Sequence, residues 1–325
     1  MGSYSDSRSK SKKEALLNEN CLICQVAMVP HLCGIVDHVT KQSFEVRRCP
    51  QCGLGKTLPH PVDLDTYYQA YYGRRHGFTA RHCVKRRMSF IRKVCGSGRG
   101  RRLIDIGCGD GMQMIGARDD GWQVMGTEVN PEALRQLGLD VISDLTELPN
   151  EVMFDCITFW HSLEHLHDPL DTIRIARQHL WDNGVLLIAV PDNDGIQAEL
   201  FGRYWLHLDV PRHLYHFNGD SMAALLKAAG FRPLRWWNQE FEYDVLGIAQ
   251  SSLTAVMPTA NVFFDALTGR SKVSRKSERL LNVAGGIVLS VLGVPVVLLS
   301  SAAKKGGTLV VAARPAQTTT PVVRG

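Results

Sequence analysis

Four cysteines near the start of the chain have the types and the spacing of metal ligands. They stand in two C-x-x-C pairs, CLIC at 21–24 and CPQC at 49–52, with 24 residues between the pairs. Each pair can sit on a tight turn that brings two thiolates to one ion, and two such pairs complete a tetrahedron. The pattern predicts a structural zinc site, and the alternative is a small hairpin with four free thiols. The predicted ligands are Cys21, Cys24, Cys49 and Cys52.

A glycine-rich loop ends the apolar stretch LIDIGCGDG at residues 103–111. The stretch contains Asp105, and its glycines are Gly107, Gly109 and Gly111. A dinucleotide-binding loop, G-x-G-x-x-G, would have its third glycine at the position of Met112. Glycines let the backbone approach a ligand closely, and nearby acids can hold a cationic group. The loop therefore predicts a ligand that carries an amino-acid group in place of a pyrophosphate.

Two further acids are expected beside the same ligand. Glu128 ends the second predicted strand, 23 residues after Asp105, where a carboxylate can accept hydrogen bonds from both hydroxyls of a ribose. Asp144 follows the third predicted strand and is placed to meet the amino group of an adenine.

Acid–base chemistry is expected from the segment DVPRHLYHF, which supplies Arg212, His213 and His216. An imidazole titrates near pH 6.5 and can act as a base at neutral pH. We predict His213 as the base or acceptor contact and Arg212 as an anchor for an anionic acceptor. The alternative is that these side chains hold the loop to the domain. A second group, Glu164, His165 and His167, is interpreted either as a metal cluster or as residues that order the loop before a helix starting at Asp168-Pro169.

Strands and helices alternate from about residue 100 onward. Apolar strand patterns occur at RLIDIGC, WQVMGTEVN, LDVISD, FDCITFW and VLLIAVPDN, with helical patterns between them. Repeated strand–helix units predict an α/β fold with a doubly wound parallel sheet, whose ligand lies at the carboxyl ends of the strands.

The composition is that of a globular protein, with a formal net charge of +5. The basic charge is concentrated in residues 74–102, which favours either a solvated helix face or a surface that binds phosphates. Nine cysteines behind a polar N-terminus without an apolar signal segment predict a cytoplasmic protein with ligand or buried thiols.

The ordered motifs IDIGCGDG, GTEVNPEA, ISDLTELP, FDCITFWHSLEHLHDP and DNGVLLIAVPDND resemble those of the class I S-adenosylmethionine-dependent methyltransferases. The segments CLIC…RCPQCGLG and FGRYWLHLDVPRHLYHF are similar to a bacterial subgroup with a zinc-binding front. The resemblance implies S-adenosylmethionine as cofactor, with Asp105 and the three glycines at its methionine part and Glu128 at its ribose. It also implies contacts around adenine and the sulfonium from Asp144, Leu145, Phe159, Trp160 and His161.

Residues 280–303, LLNVAGGIVLSVLGVPVVLLSSAA, carry no charge and are long enough to cross a membrane. FRPLRWWNQEF and GGTLVVAARP are predicted as strands six and seven of the methyltransferase sheet, and strand seven must insert beside strand five. Both ends of the apolar segment then lie on one side of any membrane, so we expect a helical insertion, which glycines and Pro295 allow to form a bent helix pair. The insertion is expected to contact a membrane surface or a lipid acceptor, or to cover the core or a partner subunit.

The expected fold is a doubly wound, seven-stranded, Rossmann-like sheet with a zinc-ribbon-like module in front and a helical insertion before the last strand. The expected function is methyl transfer to a small or lipid-linked metabolite, such as a sugar or secondary metabolite. The alternatives are a nucleic-acid methyltransferase that uses the zinc module and the basic run, and a membrane-associated scaffold that binds the cofactor without catalysis. The predicted segments are a disordered tail (1–19), the zinc module (20–58), a linker with a helix (59–99), the cofactor-binding core (100–243), the insertion (244–305), the final strand (306–315) and a flexible tail (316–325).

Overall fold

The computed structural model describes residues 19–61, 63–68, 80–269 and 275–316. Residues 1–18 and 317–325 of the predicted tails lie outside the described residues, as do residues 74–79 of the basic run.

A seven-stranded mixed sheet forms the centre of the molecule and confirms the predicted fold class. Six strands run in one direction and only β11 runs against them, in the order β10-β11-β8-β7-β4-β5-β6. The strands are β4 (Arg102–Ile106), β5 (Gln123–Thr127), β6 (Val141–Ile142), β7 (Phe154–Trp160), β8 (Leu180–Pro191), β10 (Phe231–Trp237) and β11 (Thr308–Pro315). As expected, the last strand pairs antiparallel with both β8 and β10.

Alternate residues of the central strands enter two different cores, which is why these strands are apolar throughout. Leu103 of β4 packs beneath Met88 and Ile91 of helix α2, while Ile104 packs with Ile173 on the opposite face. The helices that cover the sheet are α2 (Ala80–Cys95), α3 (Met112–Asp119), α4 (Glu132–Gln136), α5 (Pro169–Gln178) and α7 (Gly219–Ala228).

The front of the chain forms a second, antiparallel sheet of β1 (Val29–Val36), β2 (Ser43–Arg48), β3 (Gly55–Leu58) and β9 (Tyr215–His216). Strand β9 comes from the segment after β8 and pairs with β3 through Gly55 with His216 and Lys56 with Tyr215. A short helix, α1 (Asp65–Tyr68), follows this sheet along the chain. The front module is therefore joined by strand pairing to the segment that carries the predicted base.

The region before the last strand is helical, as predicted. It contains α8 (Phe241–Val256), α9 (Val262–Thr268) and α10 (Lys276–Ala302), and α6 (Ile196–Phe201) lies earlier, after β8. The expected bent pair of helices in 280–303 is wrong, because α10 is one helix of 27 residues with Pro295 inside it. Its glycines serve close packing instead: a Cβ at Gly286 would lie 2.4 Å from the ring of Phe263.

Candidate active site

An open cavity of about 1000 Å³, including the part that is open to solvent, lies at the carboxyl ends of the parallel strands. This is the edge at which doubly wound sheets bind their ligands. The glycine loop forms one wall and the end of β7 another, while α8 and α9 contribute Tyr243 and Phe264. Of the predicted cofactor residues, those that line this cavity are Asp105, Gly107, Gly109, Trp160 and His161.

The glycine loop needs glycine for two separate reasons. Gly107 and Gly111 have φ angles of 70° and 73°, in the left-handed region that other residues seldom adopt. A Cβ at Gly107 would also lie 2.7 Å from the Cβ of Ser162, whose hydroxyl donates to the carbonyl of Ile106 at 2.6 Å. The loop thus brings bare backbone to the edge of the cavity.

Two of the predicted acids are fixed beside this loop. Asp105 is buried, and its carboxylate accepts a hydrogen bond from the Thr158 hydroxyl at 2.6 Å. Burial raises the pKa of Asp105 to about 6. Glu128 lies at the end of β5, where its carboxylate accepts hydrogen bonds from the amides of Gly109 at 2.8 Å and Val129 at 3.1 Å.

The remaining predicted cofactor residues do not line this cavity. Asp144 is the N-cap of a short 3₁₀ turn and accepts a hydrogen bond from the amide of Thr146 at 2.8 Å. Leu145 and Phe159 are buried in the main core. Gly111 is the N-cap of α3.

His161 lies at the end of β7 with a φ of 51°, in the left-handed region. Its Nε2 forms a hydrogen bond with the buried carboxylate of Glu240, which Arg86 and Arg87 also contact. Burial alone lowers the pKa of His161, but the charges of Glu240 and Glu164 outweigh burial and raise that pKa to about 8. A strained backbone and a fixed imidazolium at one point are features of functional sites.

A second cluster, which we call the acceptor cluster, consists of Glu164, His165 and His213. One ligand atom from each of the three lies within 4.8 Å of the others, a set that could hold a metal ion. Both carboxylate oxygens of Glu164 are buried, and Oε1 lies 3.6 Å from Nδ1 of His161. Burial raises the pKa of Glu164, but the imidazoles of His161, His213 and His165 together hold it at about 2.

The ring of His213 is oriented by its backbone neighbours. Its Nδ1 lies 2.9 Å from the carbonyl oxygen of His207, which can only accept, so Nδ1 carries the proton in the neutral ring. Nε2 therefore keeps its lone pair, 3.9 Å from Glu164 Oε1 and at the cavity. By the same reasoning, His165 donates from Nδ1 to the carbonyl of Arg212 at 2.9 Å. The third residue of the interpreted metal cluster, His167, lies apart and packs against His60.

Arg212 and His216 do not line this cavity. The guanidinium of Arg212 is 1% exposed and contacts Asp37 at 3.0 Å and Asp209 at 2.7 Å. His216 is buried, and its Nε2 lies 2.9 Å from the hydroxyl of Thr57. The contacts of Arg212 with Asp37 and of His216 with Thr57 join the front module to the core. They support the alternative that these side chains hold the loop.

The four paired cysteines come together as the spacing predicts. Their sulfur atoms lie within 4.8 Å of one another, and those of Cys21 and Cys52 are 3.7 Å apart. Zinc–thiolate bonds of about 2.3 Å in a tetrahedron require sulfur atoms about 3.8 Å apart, so the cluster has the dimensions of a zinc site. The amides of Cys24 and Cys52 also point at the sulfurs of Cys21 and Cys49, both at 3.5 Å.

Comparison with known proteins agrees with this geometry. Residues 78–235 match a family model described as a methyltransferase domain. A ubiquinone biosynthesis O-methyltransferase of Bordetella parapertussis is 31% identical over 175 residues, which cover 48% of this chain and 72% of that protein. The chain belongs to the class I S-adenosylmethionine-dependent methyltransferases.

The chain spans less than two thirds of the length of other relatives that it matches. This chain is 27% identical over 115 residues to a ubiquinone biosynthesis O-methyltransferase from Alkalilimnicola ehrlichii, and the match covers 32% of this chain and 47% of that protein. The structure of Haemonchus contortus phosphoethanolamine N-methyltransferase 2 with S-adenosyl-L-methionine has a TM-score of 0.50 and 18% identity, over 81% of this chain and 62% of that one. This structural likeness shows the shared fold.

Sequence reasoning missed two residues of the site, Glu240 and Tyr243. Glu240 is 79 positions from His161, and the Tyr243 ring stacks on His161 with centroids 4.4 Å apart. No motif marks either residue. The only signal was the acidic start of the helix after strand six, in NQEFEYD.

Proposed function

We propose that the enzyme transfers the methyl group of S-adenosylmethionine to a hydroxyl group of a small or lipid-linked metabolite. The observation that carries this proposal is the acceptor cluster, in which a carboxylate and an imidazole lone pair meet at the cavity. A hydroxyl must lose its proton as it is methylated, and these groups can receive it. The names of the relatives, which are O-methyltransferases, support the same acceptor atom.

The glycine loop and its two acids fit the cofactor. S-adenosylmethionine supplies a methyl group that its sulfonium has already activated. The backbone of Gly107 and Gly109, which lines the cavity, would approach its methionine part, and Asp105 would face its ammonium group. Glu128 would accept hydrogen bonds from the ribose hydroxyls, while the amide of Gly109 holds its carboxylate in position. Asp144 remains the proposed adenine contact.

His213 is the proposed base. A pKa of about 8 would keep the His161 ring mainly protonated at pH 7. His161 would therefore orient Glu164 and the acceptor, whereas the lone pair on Nε2 of His213 can take the proton. General-base catalysis of this kind contributes about 10²- to 10⁴-fold to a rate.

We also propose that the cysteine cluster holds a structural zinc ion. Four thiolates would close the coordination sphere, so the ion would act on folding and not on the reaction. The hydrogen bonds from Thr57, one to the carbonyl of His213 at 2.7 Å, would transmit that order to the cavity.

A nucleic-acid substrate is disfavoured by the way the basic helix α2 is used. A phosphate-binding surface needs unpaired cations, yet four arginines from α2 and the loop after it pair with acids of the same chain. These pairs are Arg86 with Glu242, Arg87 with Glu240, Arg92 with Asp120 and Arg101 with Asp155.

The test is to incubate the enzyme with methyl-labelled S-adenosylmethionine and separated cell fractions. We expect label in lipid or small-molecule extracts, and His213→Gln to lower its transfer by about 10²-fold or more without weakening S-adenosylhomocysteine binding. His82→Gln, at an exposed histidine of α2, is the matched control and should transfer normally. Label in nuclease-sensitive material would refute the acceptor class, and bound cofactor without transfer to any fraction would leave the scaffold alternative.

A further inference from the structure

Helix α10 turns small and polar residues toward the protein and large apolar residues toward solvent, the reverse of a surface helix in water. A surface helix buries large aliphatic residues and exposes polar ones. The residues of α10 that are buried against the protein are small or polar with one exception, Val297: Asn282, Gly286, Gly293, Val297 and Ser300. The residues on the opposite side, the outward face, are large and exposed: Leu280, Leu281, Ile287, Val288, Val291, Leu292, Val296, Leu298 and Leu299.

The inward side of α10 is packed tightly, so the helix cannot turn its apolar side inward. A Cβ at Gly293 would lie 3.1 Å from Ile248 of α8, and one at Gly286 would overlap Phe263 of α9. Three polar side chains of α10, those of Asn282, Ser290 and Ser300, donate to carbonyls of the same helix, as Ser290 does to Gly286 at 2.7 Å. Small residues at close helix contacts and internally satisfied hydroxyls are typical of helices whose other side meets lipid.

The same packing rules out a transmembrane orientation for α10 in this fold. With 27 residues the helix is about 40 Å long, and it is the one helix among the described residues that is long and apolar enough to cross a bilayer. Its inward side nevertheless lies along α8 and α9, and Gly307 beyond its end accepts a hydrogen bond from the amide of Asp192 at 3.0 Å. Only the outward face is available to a bilayer, so the helix would lie in the plane of the surface.

The basic residues at both ends of α10 favour an anionic lipid surface over a second copy of the chain as the partner of the outward face. Exposed basic residues flank the uncharged 24-residue stretch at both ends: Arg275, Lys276 and Arg279 before it, and Lys304 after it, where the adjacent Lys305 pairs with Glu199. Two copies of α10 would place basic ends against basic ends in either a parallel or an antiparallel pair. An anionic lipid surface, in contrast, attracts both ends at once.

We infer that the outward face of α10 docks the enzyme onto the surface of an anionic bilayer, with the helix parallel to the membrane. The helices that support α10 also contribute Tyr243 and Phe264 to the cavity wall. Docking would therefore bring the cavity near the bilayer, where a lipid-linked acceptor would be found. The inference stands on α10 alone and does not depend on methyl transfer.

The test is flotation of the full chain with vesicles of phosphatidylcholine, with and without phosphatidylglycerol. We expect binding to the anionic vesicles. The variant Val288→Ser/Val291→Ser/Leu292→Ser should bind them about a hundredfold more weakly, because it removes aliphatic area from the outward face. Replacing Arg275, Lys276 and Arg279 by Gln should weaken binding by a similar factor.

The matched control changes three exposed apolar residues elsewhere, Val36→Ser/Leu137→Ser/Leu234→Ser, and should float as the unchanged protein does. S-adenosylhomocysteine affinity and the unfolding midpoint report whether each variant is folded. Failure of the unchanged protein to float, or equal loss in the control, would overturn the inference. So would a dimer that the outward-face variant converts to monomers without vesicle binding, since a second copy would then cover the face. Methyl transfer is measured separately, so its loss alone leaves the docking result intact.

Discussion

Replacing His161 by glutamine tests whether this imidazole is held as a cation. The pKa of His161 is about 8 in the folded enzyme against 6.5 for an ordinary histidine. The difference corresponds to ~2 kcal/mol of stability from the charged ring, because one pKa unit is 1.36 kcal/mol. The pKa is raised on folding, so this stability is fully present below pH 6.5 and is lost as the pH rises through about 8.

The assay is urea unfolding of the unchanged enzyme and of His161→Gln at pH 6 and pH 9. We expect the free-energy difference between the two proteins to be ~2 kcal/mol larger at pH 6 than at pH 9. Comparing the two proteins cancels other buried groups such as Asp244, whose pKa burial raises to about 8. His82→Gln, at an exposed histidine of α2, is measured in parallel as the matched control. An equal difference at both pH values would refute the assignment of His161 as a cation and reopen it as the base.

Three further outcomes are expected. Glu128→Gln should weaken S-adenosylhomocysteine binding by about ten- to a hundredfold in calorimetry, because a neutral amide accepts ribose hydrogen bonds less well; unchanged affinity would place the ribose elsewhere. Cys52→Ser should lower the zinc content measured by mass spectrometry and the unfolding midpoint, while the exposed Cys33→Ser leaves both as they are. Asp37→Asn should cost about 3 kcal/mol in urea unfolding, because it removes one of the acids paired with the buried Arg212; a loss below about 1 kcal/mol would show that Asp209 suffices.

The sequence-based predictions succeeded where a few neighbouring residues determine the outcome. Alternating strand and helix patterns predicted the parallel part of the sheet, and the three glycines of LIDIGCGDG predicted a loop that lets the backbone approach a ligand; all three have positive φ. The cysteine pairs assembled because each C-x-x-C turn places its own two sulfur atoms.

The sequence could not identify partners that lie far along the chain. Arg212 was expected at the acceptor, but Asp37, 175 positions away, pairs with it beneath the surface. Glu240 has no motif, and only the folded chain brings it to His161. Hydropathy located the apolar segment at 280–303 but could not show which side of α10 faces the protein, since that depends on Ile248 and Phe263.

Among the described residues, the front module supplies no lining residue to the cavity, but it supports the segment that carries the proposed base. Strand β3 pairs with β9, and the hydroxyl of Thr57 donates to the carbonyl of His213 itself. Arg212, the residue before His213, is held by Asp37 at the end of β1. The backbone that orients the proposed base is therefore held at Arg212, at His213 and, through the amide of Thr57, at the carbonyl of Leu214. All three contacts come from the sheet that carries the cysteine cluster or from the residue that follows its first strand. Loss of order at the cysteines should consequently reduce turnover before it unfolds the core, because His213 depends on that sheet and the glycine loop does not.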